Sequence, residues 1–169
     1  MQIANLLQDS IVDGPGFRFT VFAQGCERNC EGCHNPKLLS KNGGVYMHVD
    51  SIIEEMLSNP LTDGLTLTGG EPFLQAGECV KIARAAKEKG LNVWVYTGYT
   101  YDELIIESEK NPEISELLGT IDVLIDGEFI LSLRSLSLKW RGSSNQRIID
   151  VQESIKTGIP TEIQYSDNT

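Results

Sequence analysis

The chain has 169 residues, of which 40% are hydrophobic and 22% charged, and its formal net charge is −10. That length suits a single domain spanning 1–169 with a core of its own, and the acidic balance argues against nucleic acid as a partner. No apolar run approaches bilayer-spanning length, so no membrane association is expected.

The opening residues, MQIANLLQDS, lack a basic region followed by an apolar block and do not read as a secretory signal. A cytoplasmic location is therefore expected, where thiols stay reduced. FRFTVFAQ (17–24) reads as the first strand, with Phe17, Phe19 and Val21 on one side. VDSIIEEMLSN reads as a helix with Ile52, Ile53, Met56 and Leu57 on one face, ended by Asn59-Pro60. GLTLTGG (64–70) is a short strand. The helix after it carries the stripe Cys79, Ile82, Ala83, Ala86 and stops at Gly90. NVWVYTG (92–98) is a third strand, and Thr100 with Glu103 forms a capping box that opens the next helix, which Pro112 interrupts or restarts. IDVLIDGEF (121–129) reads as a fourth strand, QRIIDVQES as a fifth and PTEIQY as a sixth or an edge addition.

Strands alternating with helices predict an α/β fold of parallel β-α-β units. With five or six strands, the expected form is an open partial (β/α) barrel with mostly parallel strands. Such sheets bind ligands at the carboxyl ends of their strands. Four candidate segments lie there: the cysteines after 17–24, Gly69 to Pro72, Thr97 to Tyr99, and Asp126-Gly127. A second feature is the absence of Asp and Glu from 129–149, where Arg134, Lys139, Arg141 and Arg147 all fall. It reads as a solvated face or as a docking patch for an acidic or backbone-rich partner.

GCERNCEGCHNP places Cys26, Cys30 and Cys33 within eight positions. Disulfides would leave one thiol over and suit a different compartment. A structural zinc site needs four ligands, usually as two separated pairs, and His34 follows Cys33 too closely to share its ion. An iron–sulfur cluster accepts thiolates at such spacings, and three ligands for a four-iron cluster leave one iron open for a small molecule. TGGEP (68–72) adds two glycines at a strand end, where backbone carbonyls can approach a ligand's ammonium group, with Glu71 adding negative charge. A tight strand-to-helix turn is the plainer account of that motif alone.

Cys-x3-Cys-x2-Cys after a first strand, together with Gly-Gly-Glu-Pro, resembles the radical S-adenosylmethionine superfamily. The resemblance implies a [4Fe-4S] cluster on Cys26, Cys30 and Cys33, with S-adenosyl-L-methionine chelated to the open iron and reductively cleaved to a 5′-deoxyadenosyl radical. It implies further that Gly69, Gly70 and Glu71 hold the methionine moiety; from the neighbouring strand ends, Thr97 and Asp126 could bond the ribose or carboxylate, or simply form strand-terminal turns. Many members carry an aromatic residue before the third cysteine. Gly32 stands there, so only its backbone could meet the adenine, while His34 could touch the adenine or tune the cluster. SIVDGPGFRFTVFAQGC (10–26) and CHNP resemble the glycyl-radical-enzyme activases. RGSSNQRIIDV (141–151), TGYT (97–100) and DVLIDGEF (122–129) resemble those that serve anaerobic ribonucleoside-triphosphate reductase. The implied partners are the glycyl radical subunit of that reductase and a one-electron donor such as flavodoxin or ferredoxin. Arg141, Ser143, Asn145 and Gln146 are implied to hold the partner's glycine loop or to cover the adenosyl site. An activase of pyruvate formate-lyase or another glycyl radical enzyme, and more remotely a zinc-binding module, are the alternatives.

Overall fold

A computed structural model describes residues 1–165. It opens with the strands β1 (Gln2–Ser10) and β2 (Arg18–Ala23), the short β3 (Val45–Tyr46) and helix α1 (Val49–Ser58). Then come β4 (Gly64–Gly69), α2 (Ala76–Glu88), β5 (Asn92–Tyr96), α3 (Tyr101–Ser108), α4 (Pro112–Thr120) and β6 (Val123–Asp126). The chain continues through β7 (Arg147–Asp150), α5 (Val151–Thr157) and β8 (Thr161–Glu162). The strands form one sheet in the order β3-β1-β2-β4-β5-β6-β7-β8.

This overturns the expected partial barrel of five or six mostly parallel strands. Among the described residues the sheet is mixed, has eight strands and does not close. Only β2–β4, β4–β5 and β5–β6 pair in parallel, whereas β1–β2, β1–β3, β6–β7 and β7–β8 are antiparallel. The physical reason lies in the connections. A parallel neighbour needs a crossover, which α1, α2 and the α3–α4 pair supply. Between β6 and β7 no α-helix intervenes, only a 3-10 turn at Leu131–Leu133, so the chain turns back, and residues 127–146 stay at the carboxyl end of the parallel strands. QRIIDVQES likewise splits: Asp150 caps α5 by accepting from the Glu153 N–H at 2.9 Å, and only 147–150 are strand.

The two faces of the sheet differ. Phe19, Val21, Leu65, Leu67, Val93 and Val95 point to one side and pack against residues of all five helices, including Ile52, Ile82, Leu104, Leu117 and Val151. The opposite side carries a smaller cluster of Trp94, Val123, Ile125 and Ile148, covered by Trp140 and by Ile163 and Tyr165 from the chain's end. Trp140 sits edge-on to both Trp94 (5.0 Å) and Tyr165 (4.8 Å), which fastens the 127–146 loop over this face. Arg18, fully buried, ties the amino ends of the parallel strands by donating to Thr66 Oγ1 (3.0 Å), Asn92 Oδ1 (2.5 Å) and Leu65 O (2.5 Å). Burial pushes its pKa down to about 10, opposed by the nearby Asp63, Asp122 and Asp13, so the guanidinium stays charged at neutral pH, and its donors are met by acceptors. The structure is therefore locked at the strand starts and open for function at the strand ends.

Candidate functional site

The cysteine loop leaves β2 at Ala23. Gly25 N–H donates to Leu38 O (2.8 Å) and Cys26 N–H to Leu39 O (3.1 Å), anchoring the start of the loop to its own far end. A turn from Cys33 N–H to Cys30 O (3.2 Å) folds the middle back. All three thiols are free and half-buried. They border one cavity of about 250 Å³ together with Thr68, Gly69 and Gly70 from the end of β4, Thr97 and Gly98 after β5, and Gly127 after β6. Among the described residues, no group of three or more His, Cys, Asp or Glu side chains is arranged to hold a metal ion; the thiols border a shared volume. Burial pushes the Cys26 and Cys30 thiols up. The neighbouring backbone of Arg28 and Asn29 for Cys26, and of Phe129 for Cys30, acts the other way by favouring thiolate. A donor set of three half-buried thiols on one cavity, with the Asn35 N–H donating to the Cys33 sulfur at 3.4 Å, fits an iron–sulfur cluster, whose sulfurs accept such bonds.

The two glycines have a structural duty first. A Cβ on Gly70 would lie 2.2 Å from Gly25 O, and one on Gly69, at φ +101°, 2.7 Å from Ala23 O. Only bare backbone lets the end of β4 press against the cysteine loop, where Gly70 N–H donates to Ala23 O and Glu71 N–H to Gly25 O, both at 2.8 Å. Glu71 turns away from the cavity. Its buried carboxylate accepts from Thr97 Oγ1 (2.9 and 3.0 Å), Gly98 N–H (2.9 Å) and Phe73 N–H (3.1 Å), bracing the end of β4 against the end of β5.

Burial pushes the Glu71 carboxyl up to about 7 against the pull of those donors. The folded chain thus holds this proton more tightly than the unfolded chain. Its contribution to stability is fully present at acid pH and declines as pH rises from the ordinary carboxylate range through about 7. In Glu71→Gln an amide N–H must face the Gly98 or Phe73 N–H. Urea unfolding is expected to show a loss of about 1–3 kcal/mol and no such decline between about pH 5 and about pH 8. A variant with wild-type stability and wild-type pH slope would mean that the carboxylate braces nothing.

Asp126 is also occupied. It accepts from Arg147 Nε (3.0 Å) and Nη2 (2.5 Å) and from the Tyr101 N–H (2.8 Å), and it does not border the cavity. Thr97 does, although its hydroxyl is given to Glu71. Gly32 lies outside the cavity wall, at φ +71°, where a Cβ would meet Leu131 Cδ1 at 2.9 Å. The aromatic groups that border the cavity are Phe22, Tyr96, Phe129 and His34, the last two with ring centroids 4.8 Å apart. Of the loop residues, Gln146 reaches the cavity, accepting from the Gly142 N–H (2.8 Å) and donating to Gly127 O (3.0 Å). Buried Ser143 receives the Ile130 N–H (3.2 Å), and Asn145 donates to Glu128 O (2.8 Å), so both shape the loop from within. Arg141 borders a neighbouring groove with Arg134 and Leu136.

Sequence reasoning passed over Arg28 and Phe129. Asp13 borders the cavity as well, accepting from Ser10 Oγ (2.5 Å) and Thr20 Oγ1 (3.2 Å). A cation placed between two candidate ligand cysteines was the available signal for Arg28.

Comparison with known proteins adds to this geometry. A family model described as a 4Fe-4S single cluster domain matches residues 12–149. A protein of Haemophilus influenzae is 38% identical over 148 residues, covering 82% of this chain and 90% of its own length. One of Escherichia coli strain K12 is 36% identical over 146 residues, covering 80% and 90%. One of Enterobacteria phage T4 is 34% identical over 145 residues, covering 81% and 86%. Each of the three is named anaerobic ribonucleoside-triphosphate reductase-activating protein.

Proposed function

Because the chain belongs to the 4Fe-4S single cluster domain family and to the anaerobic ribonucleoside-triphosphate reductase-activating proteins, we propose that its strand-end cavity makes the glycyl radical of such a reductase. The protein is a radical S-adenosylmethionine activase with a [4Fe-4S] cluster. Cys26, Cys30 and Cys33 are the residues to hold the cluster, and the observation that carries this is their shared border on the cavity that Gly69 and Gly70 also wall. When bound, the cluster and S-adenosyl-L-methionine supply an electron and a cleavable C–S bond, the source of hydrogen-atom abstraction.

The chain's own residues bind, orient and exclude water. Gly69 and Gly70 keep the end of β4 bare beside the cysteine loop, leaving backbone for the methionine moiety. Glu71 acts on that moiety through the backbone it braces, since its oxygens are bonded to Thr97, Gly98 and Phe73. Thr97 and Gly98, which wall the cavity, would meet the ribose or carboxylate, and Asp126 fixes the start of α3 through the Tyr101 N–H. His34 and Phe129 supply the ring surface that Gly32 cannot.

Gln146, with Ser143, Asn145 and Arg141 behind it, forms the side of the cavity that a partner's glycine loop would pass. Glycine suits this target because its α-carbon is unhindered and its backbone can enter a narrow opening. The donor of the single electron is a flavodoxin- or ferredoxin-like protein. Mixing the reconstituted activase, S-adenosyl-L-methionine and a reductant anaerobically with the reductase should produce a glycyl radical doublet by electron paramagnetic resonance. A doublet formed on pyruvate formate-lyase and not on the reductase would reassign the target.

A further inference from the structure

Arg28 stands between the first two cysteines, in a stretch (27–29) that carries no regular secondary structure. Its guanidinium carbon lies 4.1 Å from the centre of the Tyr99 ring. Nη2 pairs with Glu103 Oε2 at 2.9 Å and Nη1 with Glu128 Oε1 at 3.3 Å. The stem crosses Gly98 so closely that a Cβ there would sit 2.8 Å from Arg28 Cγ. One side chain thus reaches the turn after β5, the first turn of α3 and the segment after β6. Arg28 itself borders the cavity beside Cys26, Cys30 and Phe129.

We propose that Arg28 is the positioning residue of the cysteine loop: wedged between the Tyr99 ring and the carboxylates of Glu103 and Glu128, it sets how Cys26 and Cys30 stand against the ends of β5 and β6. Magnitudes separate this from a general stabilising role. Glu103 and Glu128 are about half exposed, and ion pairs of that kind add little to global stability. The cation–π contact adds on the order of 1 kcal/mol. Loss of Arg28 should leave the fold standing and disturb the cluster. Its charge also matters locally. Arg28, between Cys26 and Cys30, neutralises Glu103 and Glu128, so its loss makes the surroundings of the cysteine loop more negative and lowers the reduction potential of the cluster held there. Lysine keeps the charge but not the planar two-pronged fork.

The inference rests on the cluster held by these cysteines. If that reading fails, the wild type takes up no iron and sulfide, and this is seen before any variant is compared. In the full-length, anaerobically reconstituted protein, Arg28→Gln should release iron to a ferrous chelator roughly ten-fold faster or more, the scale of changes in residues that orient metal ligands. Its reduced cluster should show an altered resonance spectrum and a lower midpoint potential, while the metal-free chain melts where the wild type does. Arg28→Lys should fall between. Glu103→Gln combined with Glu128→Gln should also speed release. Wild-type release and spectrum in Arg28→Gln, or wild-type release in the double carboxylate variant, would overturn the assignment. So would faster release that merely follows a lowered melting temperature of the metal-free chain.

Discussion

Cys30→Ala is expected to abolish reductive cleavage of S-adenosyl-L-methionine and to leave the reconstituted chain with little bound iron. With two thiolates remaining on one cavity wall, the loss should exceed the roughly 100-fold that is the upper range for residues outside the ligand set. Cys79→Ala is the control. Cys79 is buried in α2, its sulfur within 3.5 Å of Pro72 O, and burial pushes its thiol far above the ordinary range, so it stays protonated and inert. That variant should keep iron content and cleavage while losing some stability to a small cavity. Iron and sulfide analysis beside product assay separates the two cysteines. Full activity in Cys30→Ala would mean that the ligands are misassigned.

Gly70→Ala is the second large effect. The added methyl would lie 2.2 Å from the carbonyl oxygen of Gly25, and backbone cannot swing aside as a side chain can. Either the end of β4 or the start of the cysteine loop must move, breaking the Gly70–Ala23 and Glu71–Gly25 hydrogen bonds. A cost of about 1–3 kcal/mol in denaturant unfolding is expected, together with loss of cleavage, because the displaced backbone belongs to the cavity wall. Gly119→Ala is the matched comparison. Gly119 lies in α4 with nothing within 4 Å of the added carbon, and the change should stabilise by about 0.5–1 kcal/mol. Equal stability and activity for both variants would remove the close approach from the account.

Much of this architecture is legible in the residues. The alternation of Phe19 and Val21 with Thr20, the cap at Thr100 and the stripe along α2 all became the expected elements. β1 escaped notice because its polar amides Gln2, Asn5 and Gln8 break the usual apolar run of a strand. The antiparallel return of β7 was hidden because strand direction depends on what connects two strands, and residues 127–146 resemble a generic loop until one asks which helix would carry them across. The start of α5 was read as strand because Val151 continues the apolar pattern of Ile148 and Ile149 across Asp150.

At the site, the strand-end position and the three cysteines follow from local spacing. The turning inward of Glu71 and Asp126 does not. Buried carboxylates go where their donors are, and the donors, Gly98 and Arg147, are fixed by packing between strands that are distant in the chain. Arg28 is the extreme case, with its partners Glu103 and Glu128 lying 75 and 100 residues away.

The most direct test of the central claim is anaerobic reconstitution with iron and sulfide, then addition of dithionite and S-adenosyl-L-methionine, with the products measured. The account predicts a coloured protein holding about four irons with matching sulfide that yields 5′-deoxyadenosine and methionine. A colourless protein that takes up zinc in place of iron and leaves S-adenosyl-L-methionine intact would contradict it.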